Sequence, residues 1–140
     1  MRKETRTTRK PKIVISSSDF DRLSRLANNS LNTMTELAEE LLGELERAKV
    51  VSDNALPKNV VRMGAAVTYE SDNGQERTVI LVNPGEADIA QGKVSIMTPI
   101  GTALIGLAEG QSIGWIARDG QSHRLTVKSV RPLENGEAED

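Results

Sequence analysis

The sequence predicts an α+β fold: an N-terminal short antiparallel helical hairpin, then a mostly antiparallel sheet interrupted by one short helix. Three observations carry this prediction. Apolar residues recur at helical spacing as far as about Lys49 and then alternate from Asn59 onward, with Pro57 between the two regimes. Two glycine-containing turns, "SDNG" at 71–74 and "RDGQ" at 118–121, each lie between β-rich runs. The most apolar stretch, "TPIGTALIGL" at 98–107, has a threonine fit to cap a helix and a proline fit to start one.

In chain order, "KIVIS" (Lys12–Ser16) is a short β-branched run and reads as extended. The first helix follows, with Ser18 as its expected N-cap and Asp21 in its first turn. Phe20, Leu23, Leu26 and Ala27 share one face. The segment Asn28, Asn29, Ser30, Leu31 and Asn32 breaks the pattern and forms the hairpin tip, since Asn favours left-handed backbone and local side-chain bonds. Thr33 and Glu36 have the spacing of a capping box for the second helix. Met34, Ala38, Leu41, Leu45 and Ala48 then form its stripe, widened by Leu37 and Leu42. Helices of about 10 and 16 residues give a hairpin reaching roughly 15–25 Å. The stripe suits a hairpin packed on a common core and a projecting one equally. Glu36, Glu39, Glu40, Glu44 and Glu46 read as a solvated helix face.

The expected strands are "NVVRMGAAVTYES", "QERTVILV", "KVSIM", "SIGWIA" and "SHRLTVKSVR". Between the second and third, "NPGEADIAQG" is a loop with a helical turn. In the short helix, Thr98 is the expected N-cap and Pro99 occupies the first helical position. Ile100, Ala103, Leu104, Ile105 and Leu107 make it apolar on most sides, so it must be buried against the sheet. Gly106 allows close contact or chain exit.

The expected organisation is a basic disordered tail (1–11), the hairpin as a short coiled coil (12–50), the sheet domain (57–133) and an acidic tail (134–140). Residues 1–12 carry a balance of +5 and residues 134–140 of −4, within a chain of net charge −2. A basic head suits weak contact with nucleic acid, although a solvated tail accounts for it equally simply. Aromatics are few (Phe20, Tyr69 and Trp115), so the core must be aliphatic. Cysteine is absent, which excludes disulfides and thiolate chemistry. No apolar run nears the roughly 20 residues that cross a bilayer, and the basic N-terminus lacks the apolar region of a secretory signal. The expected compartment is the cytoplasm, with no membrane contact. The chain is expected to be a monomer or a weak homodimer, because the hairpin stripe offers a pairing face.

Little in the sequence points to catalysis. The single histidine, His123, lies in an expected strand with no carboxylate beside it in sequence, and is read as a surface or hydrogen-bonded residue. No phosphate-cradling glycine pattern occurs. No enzyme activity, cofactor or metal is expected, and the residues alone point to a binding protein.

The stretch "GEADIAQGKVSIMTPIGTALIGLAEGQSI" resembles the C-terminal domain of the GreA/GreB transcript-cleavage factors of bacterial RNA polymerase. Glu86, Ala87, Asp88, Ser95, Pro99, Ile100 and the run Ala103–Gly106 carry the match, together with "GAAVTYE" at 64–70. The similarity covers about residues 57–131. It implies an FKBP-like domain, a curved antiparallel sheet wrapped on one short helix. In that family a long coiled coil enters the polymerase secondary channel, and two acidic residues at its tip help to hold the catalytic magnesium. This hairpin is shorter, and its tip "NNSLN" has no carboxylate.

A short hairpin opening with "PKIVIS" is similar to the Rnk subgroup of that family. The resemblance implies a non-catalytic regulator. It would bind RNA polymerase near the secondary-channel entrance, compete with Gre-type factors and leave transcript cleavage unstimulated. Carried over residue by residue, the docking candidates are Met97, Thr98, Pro99 and Ile100. The family tends to have Asn or Asp where this chain has Met97. Thr98 and Pro99 are also explained by helix capping alone. The alternatives are a nucleic-acid-binding or other interaction module using the basic tail, or a peptidyl-prolyl isomerase, for which the sheet has few aromatics.

Overall fold

A computed structural model describes residues 11–117 and 119–132. Of the expected tails at 1–11 and 134–140, all but Pro11 lie outside the described residues. The order is β1 (Val14–Ser16), α1 (Ser17–Asn29), α2 (Thr35–Arg47), β2 (Lys49–Val51), β3 (Ala66–Ser71), β4 (Glu76–Val82), β5 (Lys93–Ser95), α3 (Pro99–Leu104), β6 (Ser112–Ile116) and β7 (Ser122–Arg131). Short 3-10 turns occupy Asp53–Ala55, Pro84–Glu86 and Ile89–Gln91. Among the described residues no helix is long and apolar enough to cross a membrane.

The α+β architecture is the expected one, with two helices preceding a five-stranded sheet ordered β5-β4-β3-β7-β6. One pair departs from the antiparallel expectation: β4 and β5 run parallel, joined across the 3-10 turns of the 83–92 loop. A register shift between Thr68 and Tyr69 where β3 meets β7 marks a bulge, a device that bends a strand. Both predicted turns close hairpins, Gly74 taking φ +87° and Gly120 φ +85°.

The helix caps differ from expectation. The first helix starts earlier, because Ser16 rather than Ser18 accepts the Asp19 N–H, at 3.2 Å. Ser18 instead donates its N–H to Asp53 Oδ1 at 3.0 Å, and its hydroxyl bonds Asp53 Oδ2. The second helix begins at Thr35, not Thr33, and its cap position Met34 makes no side-chain bond, so the capping box does not form. Thr35 Oγ1 turns back to donate to the Leu31 carbonyl, a local bond that competes with capping. Each helix is 13 residues long, against the expected 10 and 16.

Of the two uses its stripe allowed, the hairpin takes the packed one. Leu23, Ala27, Ala38, Leu41 and Leu45 are buried in the same cluster as Ile96, Leu104, Ile105 and Leu107. Glu44 departs from the solvated face assigned to it: it is 3 % exposed and pairs with Arg47 at 2.7 Å. Arg47 also donates to the Pro11 carbonyl, fastening the end of α2 to the chain entering β1.

β1 is the seam between the two halves. It pairs in parallel with β2, a strand absent from the sequence-based expectation. The Val14 N–H also bonds the Gly106 carbonyl at 3.1 Å, and the Gly106 N–H bonds the Val61 carbonyl at 3.0 Å. Ile13 and Ile15, both buried, lie against Gly106, which has φ +83°. A β-carbon there would sit 2.8 Å from Ile13 Cβ. A second fastening joins α1 to the segment leading into the sheet, where the Met63 N–H donates to Asp19 Oδ2 at 3.1 Å. Burial pushes the Asp19 carboxyl above the ordinary carboxylate range, against the opposing pull of the Met63 bond and of Arg22 and Arg62. The Ser18 hydrogen bonds hold the exposed Asp53 below that range.

Two predictions follow from these contacts. Gly106→Ala combines left-handed strain with a clash against Ile13, and should cost about 2 kcal/mol or more in denaturant unfolding. Asp19 has a raised folded-state pKa, so the stability it contributes is complete below its unfolded pKa and declines as pH rises through the folded value. Asp19→Asn removes this dependence, so the variant's stability relative to the parent should fall as pH is lowered from 7 toward 3. Urea titrations across that range measure it.

Candidate docking surface

The segment entering α3 is held by a close set of bonds. Ser95 Oγ accepts the Met97 N–H at 2.9 Å. Thr98 Oγ1 donates to the Ser95 carbonyl at 2.7 Å and accepts the Gly101 N–H at 3.1 Å. Thr102 Oγ1 donates to the Ile96 carbonyl at 3.0 Å. Thr98 is thus the N-cap, and Pro99 stands at the helix start, as their order in the sequence requires. Such a turn presents its outward side chains at little entropic cost to a partner.

The four docking candidates divide by exposure. Met97 is 2 % exposed and belongs to the core. Its neighbour Ile96 is buried as well. Thr98, Pro99 and Ile100 are half-buried and line a groove of about 670 Å³. Tyr69, Val79, Val94 and Trp115 share that groove, with Arg77 and Ile89 also in its wall. Ile89 is 84 % exposed. Pro99 also borders a second groove, between α2 and the end of β6. Three of the four large exposed hydrophobics among the described residues (Met34, Ile89 and Ile116; the fourth is Val50) line one groove or the other. Apolar side chains gathered in this way make the region around Pro99 the candidate interaction surface.

Sequence reasoning dismissed the sheet aromatics as sparse, yet Tyr69 from β3 and Trp115 from β6 line the same groove. Burial pushes the Tyr69 hydroxyl above its ordinary range. The Trp115 indole N–H is buried and finds no acceptor among the described residues. Its ring lies 5.3 Å from that of His123. His123 Nδ1 in turn lies 3.7 Å from Asp72, whose other oxygen accepts the Arg124 N–H at 3.0 Å. The histidine therefore sits in a surface network, as expected. The alternation of strand side chains puts Trp115 on the same face as the buried Ile113, but does not say which groove the tryptophan enters.

The tip residues gather at the far end of the hairpin. Asn28 and Asn29 finish α1, and Ser30 caps it, donating its hydroxyl to the Leu26 carbonyl at 2.8 Å. Asn28 bonds back to the Ser24 carbonyl, Leu31 is half-buried, and Asn32 is exposed. Their side chains serve the turn itself.

Comparison with known proteins agrees with this anatomy. The family model for the GreA/GreB transcription elongation factor C-terminal region matches residues 56–132, and that for the Rnk N-terminus matches residues 11–51. The regulator of nucleoside diphosphate kinase of Escherichia coli K12 is 32% identical over 119 residues, covering 84% of this chain and 88% of that one. Transcription elongation factor GreA of Thermodesulfovibrio yellowstonii is 40% identical over 76 residues, 54% of this chain and 48% of its own. Among solved structures, a GreA/GreB elongation factor from Nitrosomonas europaea superposes with a TM-score of 0.70 at 35% identity, covering 86% of this chain and 99% of that one. Fold and matches together define a regulator of the transcription-elongation-factor type. The chain belongs to the GreA/GreB family, in its Rnk group.

The Thr98 cap is testable in isolation. Thr98→Ala should lower stability by about 1 kcal/mol, read from chemical denaturation, because the Gly101 N–H loses its acceptor.

Proposed function

We propose that this chain is a non-catalytic transcription regulator that binds RNA polymerase near the secondary-channel entrance. In this reading it competes there with Gre-type factors and does not stimulate transcript cleavage. One observation carries the proposal: the hairpin has helices of only 13 residues and packs them on the body of the protein. At 1.5 Å per residue each helix spans about 20 Å. The long channel-entering arm implied by the Gre resemblance has no counterpart of that reach. The tip, Asn28–Asn32, also offers no carboxylate, and a hard divalent cation is held best by charged oxygen ligands.

The docking contact in this proposal is made by Thr98, Pro99 and Ile100, with Met97 supporting them from the core. The exposed apolar surface on both sides of Pro99 supports that placement.

Core polymerase retained by the immobilised chain, with a GreA-type factor as competitor, tests the reading directly. Competitor-sensitive retention is expected, with affinity at least tenfold weaker for Pro99→Glu, about 1.4 kcal/mol. Deleting residues 1–11 should leave retention intact; its loss would favour the nucleic-acid reading of the tail. RNA in backtracked complexes should stay uncut when the protein is added, and accelerated trimming would end the proposal.

A further inference from the structure

The second groove has a chemistry of its own. Its volume is about 930 Å³, and Met34, Leu37, Pro99 and Ile116 supply its apolar surface. Met34 is 38 % exposed and Ile116 58 %. Glu36, Glu39 and Glu40 stand along the α2 side. Among the described residues none of the three is in an ion pair, and no lysine or arginine lines the groove. Glu36 and Glu40 are four residues apart on one helix face, where like charges repel. Among the described residues these carboxylates thus have no paired cation beside the solvent-exposed apolar side chains, and a cationic, apolar partner suits both.

We propose that this groove is an interaction surface for a basic amphipathic helix of a protein partner. The spacing argues for a helix. On α2, Met34 and Leu37 are three residues apart, while Glu36 stands three and four residues before Glu39 and Glu40. A helix laid alongside repeats that interval, setting apolar residues against Met34, Leu37 and Ile116 and placing lysines or arginines against the glutamates. Pro99 borders both surfaces, but the inference goes beyond the polymerase reading, which uses none of the three glutamates.

The test uses the full chain and a fluorescent peptide of about 18 residues, long enough to hold a helix when bound, with leucines at helical spacing and lysines elsewhere. Fluorescence anisotropy should show saturable binding that weakens with salt. The triple variant Glu36→Lys, Glu39→Lys and Glu40→Lys should bind at least tenfold more weakly. Ile116→Ser should lose about fivefold while leaving the charges in place. Reversing the remote Glu76 and Glu86 should change affinity by less than twofold. A peptide with glutamates in place of its lysines should not bind. Thermal melts confirm that each variant is folded.

Absence of binding overturns the proposal, as does an unchanged affinity for the triple variant or an equal loss on reversing Glu76 and Glu86. Light scattering gives the remaining outcome: a dimer dispersed by Ile116→Ser would assign the groove to a second copy of the chain and overturn the proposal too.

Discussion

The structure depends on one crowded crossing, where β1 passes the residue that ends the short buried helix. Ile13 and Ile15 occupy the space above Gly106, and the Val14 N–H takes its carbonyl. Only a glycine permits both the left-handed backbone and that approach. β1 simultaneously pairs with β2, the strand that leaves the hairpin. Both ends of the hairpin are therefore tied to the exit of α3, and the helices have nowhere to lie except against the sheet domain.

This constraint changes what the hairpin is. In a projecting arm the apolar stripe would close on itself, helix against helix. Here Leu41 and Leu45 share a core with Leu104 and Leu107, so the hairpin acts as a buttress behind the loop at 95–98. The polar fastenings have the same effect: Asp19 reaches Met63, Ser18 reaches Asp53, and Arg47 reaches the Pro11 carbonyl. The candidate surface around Pro99 is consequently backed from two sides, by the sheet and by α2.

Most elements were legible because their signals are local. The capped start of α3 needs only Thr98 and Pro99 in order, and each sheet turn needs a glycine at one position. The hairpin stripe likewise follows from spacing along a single helix. What escaped prediction depends on partners distant in sequence. Ser16 and Ser18 are equivalent as cap residues until Asp53 arrives to claim Ser18. β2 is too short to read as a strand without β1 beside it. Glu44 has a local mark that Glu40 lacks, Arg47 three residues on, but its burial comes from the packed face. The candidate surface follows the same rule: the family pattern pointed to 97–100, while the inward turn of Met97 and the convergence of Tyr69, Trp115 and Ile89 are products of tertiary packing.

The same crossing orders events in time. Residues 13–15 are synthesised well before the glycine that defines their place, more than ninety positions later. While the chain grows from its N-terminus, the stripe of Leu23, Leu41 and Leu45 has no surface to cover it until the segment through Leu107 has emerged. Contacts of such separation close late, and an apolar face left waiting is open to aggregation. A hairpin packed on the body of the protein, unlike one that closes on itself, thus waits for the rest of the chain to complete its core.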